Sequence, residues 1–289
     1  MLSSVTYQNL RNTQNFIKSP ELVRDLIKLS GINQEDLVIE IGAGKGVITQ
    51  ELVKTSGNLI SIEQDDKFFP TLSSFSKLNN CSIEICDFND YALPKKSFKV
   101  FSNIPFNITT RIISKLTSRE CSATDLFFIM QADAAKRFAG APYQRNTQNS
   151  VLLAIDFEVS ILRSISKDFF HPKPGVEIVF CHFHRRFEPL LTGSDWQCFR
   201  DFVVYCYNHS TSIIHSSLKA VFTNKQLKII GDELGLLDLR PADLSIQQWL
   251  LLFAPYKSFV SQEKKSKILG SEKRLKHTQT TLIKMFRSR

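Results

Sequence analysis

The stretch Val38–Leu52, VIEIGAGKGVITQEL, decides how this chain folds. Its first part continues the run DLVIEI, whose unbroken apolar character suits a buried strand. Its last part, VITQELVK, has helical spacing. Between them stand Gly42, Gly44 and Gly46, three of only eleven glycines in 289 residues. Glycine is needed where a backbone turns tightly or lets a ligand come close. A strand, a Gly-rich turn and a helix together present backbone N–H groups and a helix N-terminus to a bound molecule.

The same alternation runs outward from Ser19 to about Arg137. SPELVRDLIKLSG is a helix with Ser19 as N-cap, Pro20 at its first position and Gly31 as its stop. NLISIE, SIEIC, FKVFS and DLFFIMQ read as further strands. DKFFPTLSSFSK contains a helix beginning near Pro70, and ITTRIISKLT and ADAAKRFA are helices. Repeated strand–helix alternation predicts an α/β fold, a parallel sheet with helices on both faces. VLLAIDFEVSIL and VEIVFCHFHRR, separated by SKDFFHPKPG, are expected to close one sheet edge as an antiparallel pair. After Phe187 three amphipathic helical segments predict a small all-α domain. The expected divisions are an arm over 1–18, the α/β domain over 19–187, the helical domain over 188–255 and a flexible basic tail over 256–289.

Composition narrows the class. Hydrophobic residues make up 43% of the chain, enough for a real core. No apolar run approaches the roughly 18 residues of a membrane span, so no membrane partner is expected. The six cysteines form no CxxC pair and no Cys/His cluster with zinc-finger spacing. They read as reduced thiols in the cytoplasm, with no metal site. The first 20 residues lack acids, as a transit peptide does, but TQNF within them reads as functional. Of the net charge of +9, Lys257–Arg289 carries +8, ten Lys/Arg against Glu263 and Glu272. That tail is either a solvated disordered segment or an arm that neutralises nucleic-acid phosphates.

Four short stretches carry chemistry. Dinucleotide sites favour GxGxxG; here the third glycine comes one residue early, and Glu40 precedes the turn. A carboxylate there suits a cationic ligand. EIGAGKG fits the ExGxGxG pattern for S-adenosylmethionine, which bears a sulfonium and an ammonium. LISIEQD puts Glu63 at the end of the next strand, where an acid accepts both ribose hydroxyls. EICDFND puts Asp87 at the end of the third strand to accept an adenine's N6 protons, with Phe88 offering its N–H and a ring face. SNIPF ends the fourth strand with Asn103, Ile104, Pro105 and Phe106. An exocyclic base amine is a poor nucleophile, because its lone pair is delocalised. Two acceptors, the Asn103 side-chain oxygen and the Ile104 carbonyl, would favour tetrahedral character at that nitrogen. Pro105 stiffens the turn and Phe106 stacks on a flipped base. Each stretch alone also has a plain reading: a strand-to-helix turn, a solvated Glu, a turn-capping Asp, an Asn-Pro-type turn. Their order along one chain favours the functional reading.

These stretches, with TQNFI (13–17), QADAAKR (131–137) and FFHPKPGVEIV (169–179), make the chain resemble the rRNA adenine N6-methyltransferases, and most closely the erythromycin-resistance methyltransferases, over about Thr13 to Arg186. The resemblance implies a Rossmann-like class I S-adenosylmethionine-dependent methyltransferase domain followed by a small C-terminal all-α domain. It implies that Asn15 and the backbone near Phe16 hold the cofactor's methionyl end, and that Gly42 and Gly44 line its turn. Glu63 would bind the ribose, Asp87 and Phe88 the adenine, and Asn103 would touch the cofactor as well as the target. Asn103 to Phe106 would hold the target base, with Phe170 covering its other side. It implies a monomer that methylates one adenine of 23S rRNA before ribosome assembly is complete, blocking macrolide, lincosamide and streptogramin B binding. Phe106 stands where the family commonly has Tyr, Thr13 where Ser is usual and Asp133 where Glu is common. Two alternatives share the fold: the housekeeping small-subunit rRNA adenine dimethyltransferase and an organellar transcription factor. EIGAGKG and FFHPKP favour the resistance type, and the intact NIPF and QNF argue against the transcription factor. Ile104 separates the motif from the Asn-Pro-Pro-aromatic of DNA and protein methyltransferases.

Overall fold

The computed structural model describes residues 15–106, 108–208 and 213–287, with side chains as far as residue 280. The chain divides into two units. One comprises the chain up to Lys136 with Phe157–Arg186, and the other Arg137–Asp156 with Phe187–Arg289.

The first unit holds strands β1 (Phe16–Ile17), β2 (Leu37–Ile41), β3 (Asn58–Glu63), β4 (Cys81–Ile85), β5 (Phe98–Asn103), β6 (Ala123–Gln131), β7 (Phe157–Ile165), β8 (Phe170–His171) and β9 (Ile178–Arg185). Seven of them form one sheet in the order β4-β3-β2-β5-β6-β9-β7. Strands β2 to β6 run parallel, and β9 lies antiparallel between β6 and β7. The chain moves outward from β2 in one direction through β3 and β4, then returns to its other side with β5. Ligands of open α/β sheets bind at such a switch point, outside the carboxyl ends of the strands. All five residues of β2 are buried, as a central parallel strand requires. The helix Pro20–Ser30 begins where the Ser19 hydroxyl accepts from the Leu22 N–H at 3.2 Å, and ends at Gly31 with φ +67°. Those two ends set which face buries Leu22, Val23, Leu26 and Ile27.

Local structure departs from expectation in two places. VLLAIDFEVSIL is not one strand: Gln148–Leu153 is helical and β7 starts at Phe157. Thr147 and Ser150 form a reciprocal capping box there, which the apolar run conceals. The segment around Pro70 forms only a single helical turn, Phe69–Leu72, between 3-10 turns. The hydroxyls of Ser73, Ser74 and Ser76 donate to carbonyls three residues back and compete with helix continuation.

The second unit is helical, built on Gly193–Asn208, Asn224–Leu234 and Ile246–Phe259. It starts earlier than the sequence-drawn boundary at 188, since Val151, Leu152 and Ile155 belong to its core. It also runs past 255. The helix Ile246–Phe259 continues through Pro255, and the segment expected to be a flexible tail is helical over Gln262–Lys265 and Ser271–Arg287. Tyr256, Val260 and Ile268 are buried in that core. Burial of side chains this size is worth about 1.5–3 kcal/mol each. The tail is also tied by charge. Both carboxylate oxygens of buried Asp201 accept N–H groups at the start of the helix Ser271–Arg287, from Gly270 at 2.8 Å and Glu272 at 2.9 Å. Arg200 meets Glu272 with two parallel hydrogen bonds of 2.8 and 2.7 Å. Of the seven basic tail residues with described side chains, five, Lys257, Lys265, Lys267, Arg274 and Lys276, are held by protein partners.

Burial alone would raise the Glu272 carboxyl; the Arg200 hydrogen bonds and charge outweigh it and bring it from 4.5 to about 2. A folded-state value below the unfolded one stabilises fully above about pH 4.5, and the stabilisation is lost as pH falls toward about 2. A difference of that size corresponds to about 3 kcal/mol. Glu272→Gln is expected to flatten the acid limb of stability in this window, measured by thermal unfolding from about pH 6 to about pH 2. An acid limb identical to wild type would contradict the assignment.

Candidate active site

All three glycines of the turn after β2 adopt the left-handed region, with φ +77°, +52° and +78° at Gly42, Gly44 and Gly46. A side chain there is strained by about 1–2 kcal/mol. The turn is pinned to β3. Gly42 and Ala43 donate to the Ile62 carbonyl at 2.8 and 3.2 Å, and the Gly44 N–H donates to Glu63 Oε2 at 2.7 Å. Gly44 has a second reason to lack a side chain, since a Cβ would lie 2.9 Å from Cε1 of Phe16.

Glu63 is buried, yet it lines the cleft. Its other oxygen, Oε1, accepts from the Asp65 N–H at 2.9 Å. A carboxylate oxygen accepts two hydrogen bonds, so each retains a site for a hydroxyl. Glu40 behaves differently from its sequence reading. It does not line the cleft: it is buried beneath the turn, where Oε2 accepts from Thr49 at 2.7 Å and from Ser61. Burial pushes its carboxyl up to about 7 against those hydrogen bonds. Glu40 therefore ties β2 to its following helix and to β3.

Asp87 Oδ1 accepts from the backbone and side-chain nitrogens of Asn89, both at 2.8 Å, closing a turn. Oδ2 receives Gln64 Nε2 at 3.5 Å, a long contact that leaves this oxygen open to a stronger donor. The loop after Asp87 is fastened by a residue the sequence did not flag. Lys115, from the helix Thr109–Leu116, donates to the carbonyls of Phe88, Asn89 and Tyr91 at 2.7, 2.8 and 2.7 Å. Its ammonium also stands 4.8 Å from the centre of the Phe88 ring. Burial pushes the Lys115 ammonium down, with Asp90 and Asp87 opposing.

At the end of β5, Asn103 donates from Nδ2 to the Asn15 carbonyl at 2.8 Å. The amide nitrogen is thereby engaged and the amide oxygen is left to accept. The next turn is fixed at both ends. Ile104 N–H donates to the Ile129 carbonyl at 3.1 Å, and the Pro105 carbonyl accepts from Ile108 N–H at 3.2 Å and from the Thr109 hydroxyl at 3.1 Å. Phe106 is half-buried. Thr13 and Gln14 of TQNF and Asn107 of NIPFNITT lie outside the described residues.

One cleft of roughly 740 Å³, counting the part that merges with solvent, brings together Asn15, Phe16, Gly42, Gly44, Glu63, Asp87, Phe88, Asn103, Ile104, Pro105 and Phe106. Ile41 and Ile62 add apolar wall that the motif reading had not named. Phe170, expected to cover a base, is absent from this lining. It is 3% exposed and packs in the core, while its backbone pairs with Ile17 in the β1–β8 ladder. With Lys18 N–H donating to the Phe169 carbonyl at 3.0 Å, the FFHPKP segment holds the arm that carries Asn15 and Phe16.

The family model described as ribosomal RNA adenine dimethylase matches residues 6–257. An rRNA adenine N-6-methyltransferase of Bacillus licheniformis is 29% identical over 256 residues, 87% of this chain and 88% of that protein. A ribosomal RNA small subunit methyltransferase A of Clostridium botulinum is 30% identical over 221 residues, 74% of this chain and 80% of its own length. Among solved structures, the 23S rRNA methyltransferase ErmE superposes with a TM-score of 0.77 at 22% identity, covering 84% of this chain and all of that one. That last likeness is one of fold.

Two substitutions test the geometry. Gly44→Ala combines the strained φ with a clash against Phe16, and should weaken S-adenosylmethionine binding by more than about tenfold, the scale of about 1.4 kcal/mol. Lys115→Met keeps the apolar stem and removes the three hydrogen bonds to the Phe88–Tyr91 loop. It should raise the cofactor Kd by about one decade, the scale of one charge-assisted hydrogen bond, with little change in far-ultraviolet circular dichroism. Calorimetry giving wild-type affinity for either variant would count against the corresponding contact.

Proposed function

The chain belongs to the ribosomal RNA adenine dimethylase family, and on that premise we propose that its target is one adenine of the large-subunit 23S rRNA, with macrolide, lincosamide and streptogramin B resistance as the consequence. Its reaction class is S-adenosylmethionine-dependent methylation of rRNA adenine N6. The large-subunit assignment draws support from the resemblance of the motifs between Thr13 and Arg186 to the erythromycin-resistance methyltransferases. EIGAGKG and FFHPKP point the same way. Among the described residues no helix is long and apolar enough to cross a membrane. We place its action in the cytoplasm, on RNA not yet fully assembled.

The observation that carries the chemistry is the 2.8 Å bond from Asn103 to the Asn15 carbonyl. It orients the Asn103 amide so that its oxygen is free to accept a proton of the target amine. The Ile104 carbonyl accepts a hydrogen bond from the amine's other N–H, which leaves the nitrogen lone pair less delocalised. The N6 nitrogen would gain the methyl as the S–C bond breaks and then lose its surplus proton to water. Pro105 keeps these two acceptors in fixed relation, and Phe106 supplies a face for the base to stack on. S-adenosylmethionine, when bound, supplies a methyl group made electrophilic by its sulfonium. Glu63 accepts from the ribose hydroxyls, and Asp87 Oδ2 accepts from the cofactor adenine beside Phe88. Asn15 and Phe16 close the methionyl end. No side chain serves as a strong base, so rate comes from positioning and electrostatics.

Asn103→Ala is expected to lower turnover with radiolabelled cofactor by about 10²-fold, the scale of one acceptor or donor lost at a reacting centre. Cofactor affinity should change much less. Wild-type turnover in this variant would overturn the mechanism. The target is found by primer extension on rRNA from cells with and without the protein. A new stop within the large subunit supports the assignment, and a stop near the small-subunit 3′ end would replace it with the housekeeping reaction.

A further inference from the structure

The cleft lies at the carboxyl ends of the parallel strands. A second cluster of functional groups lies toward their other end. Asp125 is the third residue of β6, and Ile129, which pairs with Asn103, follows about 13 Å farther along that strand. His182 and His184 are two apart on β9, so their side chains share one face of the sheet, and Asp125 is the direct register partner of His184.

The three side chains converge on a point. Asp125 Oδ1 lies 2.9 Å from His182 Nε2 and 2.8 Å from His184 Nδ1, and the three ligand atoms all lie within 4.8 Å of one another. Two neutral imidazoles donating to a carboxylate would explain the contacts as structure alone. That explanation does not require both rings to aim at the same oxygen. A tetrahedral cation held at about 2.0–2.2 Å from each atom sets its ligand atoms about 3.4 Å apart, so the two O···N separations need to open by only about half an ångström to admit it. The His182 ring is fixed by stacking on Phe127, with centroids 4.3 Å apart and planes 11° from parallel. His184 is half exposed, which leaves a path for an ion and room for water as further ligands.

We propose that Asp125, His182 and His184 bind one divalent cation of the zinc class, which joins β6 to β9. Two imidazoles and one carboxylate select zinc, cobalt, nickel or copper over magnesium and calcium, which prefer all-oxygen sites. Each imidazole adopts the tautomer that bares its ligating nitrogen, Nε2 of His182 and Nδ1 of His184. The site stands apart from the methyl-transfer cleft and does not depend on which RNA is methylated.

The test uses the full-length protein, stripped with a chelator and dialysed. Cobalt(II) titration followed by visible absorption is expected to saturate at one ion per chain. Zinc should displace the cobalt, and excess magnesium should not. His184→Ala and Asp125→Asn should each weaken zinc binding in calorimetry by at least about tenfold, since even the outer partners of metal ligands are worth that much. His171→Ala, an exposed histidine of the same unit, should leave it unchanged. Saturating zinc should raise the thermal midpoint of the wild type and not of the two ligand variants. His184→Ala removes a half-exposed ring, and circular dichroism is expected to show an unchanged fold. Absence of a stoichiometric cobalt spectrum, or zinc affinity unaltered by His184→Ala, would overturn the proposal.

Discussion

The cleft depends on one buried hydrogen bond, from the Gly44 N–H to the Glu63 carboxylate at 2.7 Å. A bond of this charge-assisted kind is worth about 1.5–3 kcal/mol, but its larger effect is geometric. It joins the turn after β2 to the end of β3, so that two motifs 19 residues apart become one rigid wall. The three positive φ angles are what allow the turn to present that N–H. Once the turn is set, the bare face of Gly44 admits the Phe16 ring, and the carbonyl of Asn15 reaches Asn103. Glycine turn, buried Glu63, arm and Asn103 thus form one connected path. A site braced in this way meets its ligand with little ordering left to do.

The strand, glycine turn and helix were legible because each has a local cause: apolar run, backbone freedom and helical spacing all act within a few residues. Glu63, Asp87 and the Asn103–Phe106 turn were legible for a related reason, since parallel strands deliver their carboxyl ends to one edge. Lys115 was not. Its partners are backbone carbonyls, which every residue possesses, and no pattern of side chains announces which lysine will find three of them. Glu40 was misplaced because a strand buried on both faces sends even its acid inward, to Thr49 and Ser61. Phe170 was placed by motif alone, and the motif does not say which way a ring turns in a two-residue ladder.

Charge and spacing misled in opposite ways. The basic excess of the last 33 residues hid Val260 and Ile268, which enter the same core as Tyr256 just before them. Asp201 and Arg200, some 70 residues earlier, then hold the next helix at its start. No Cys/His spacing within a single segment announces the cluster of Asp125, His182 and His184. His182 and His184 fit one strand face, but their carboxylate is 57 and 59 residues away, and sheet order alone brings it beside them. Contacts across a sheet are set by topology, which is why the parts of this molecule hardest to read were those joined by register.

The helical unit is interrupted in sequence: its first piece, Arg137–Asp156, is made before the chain returns to finish the sheet with β7 and β9. On a translating ribosome this ordering imposes a delay. Val151, Leu152 and Ile155 emerge long before their partners, and the buried partner Ile268 is joined to the chain more than a hundred residues later. At synthesis rates of about 5–20 residues per second the wait is roughly 5–20 seconds. Early in that interval, until residues 178–185 have been made, β6 is also without its neighbour β9. Newly made chains are therefore most exposed to chaperones and to premature association before their final third has been synthesised.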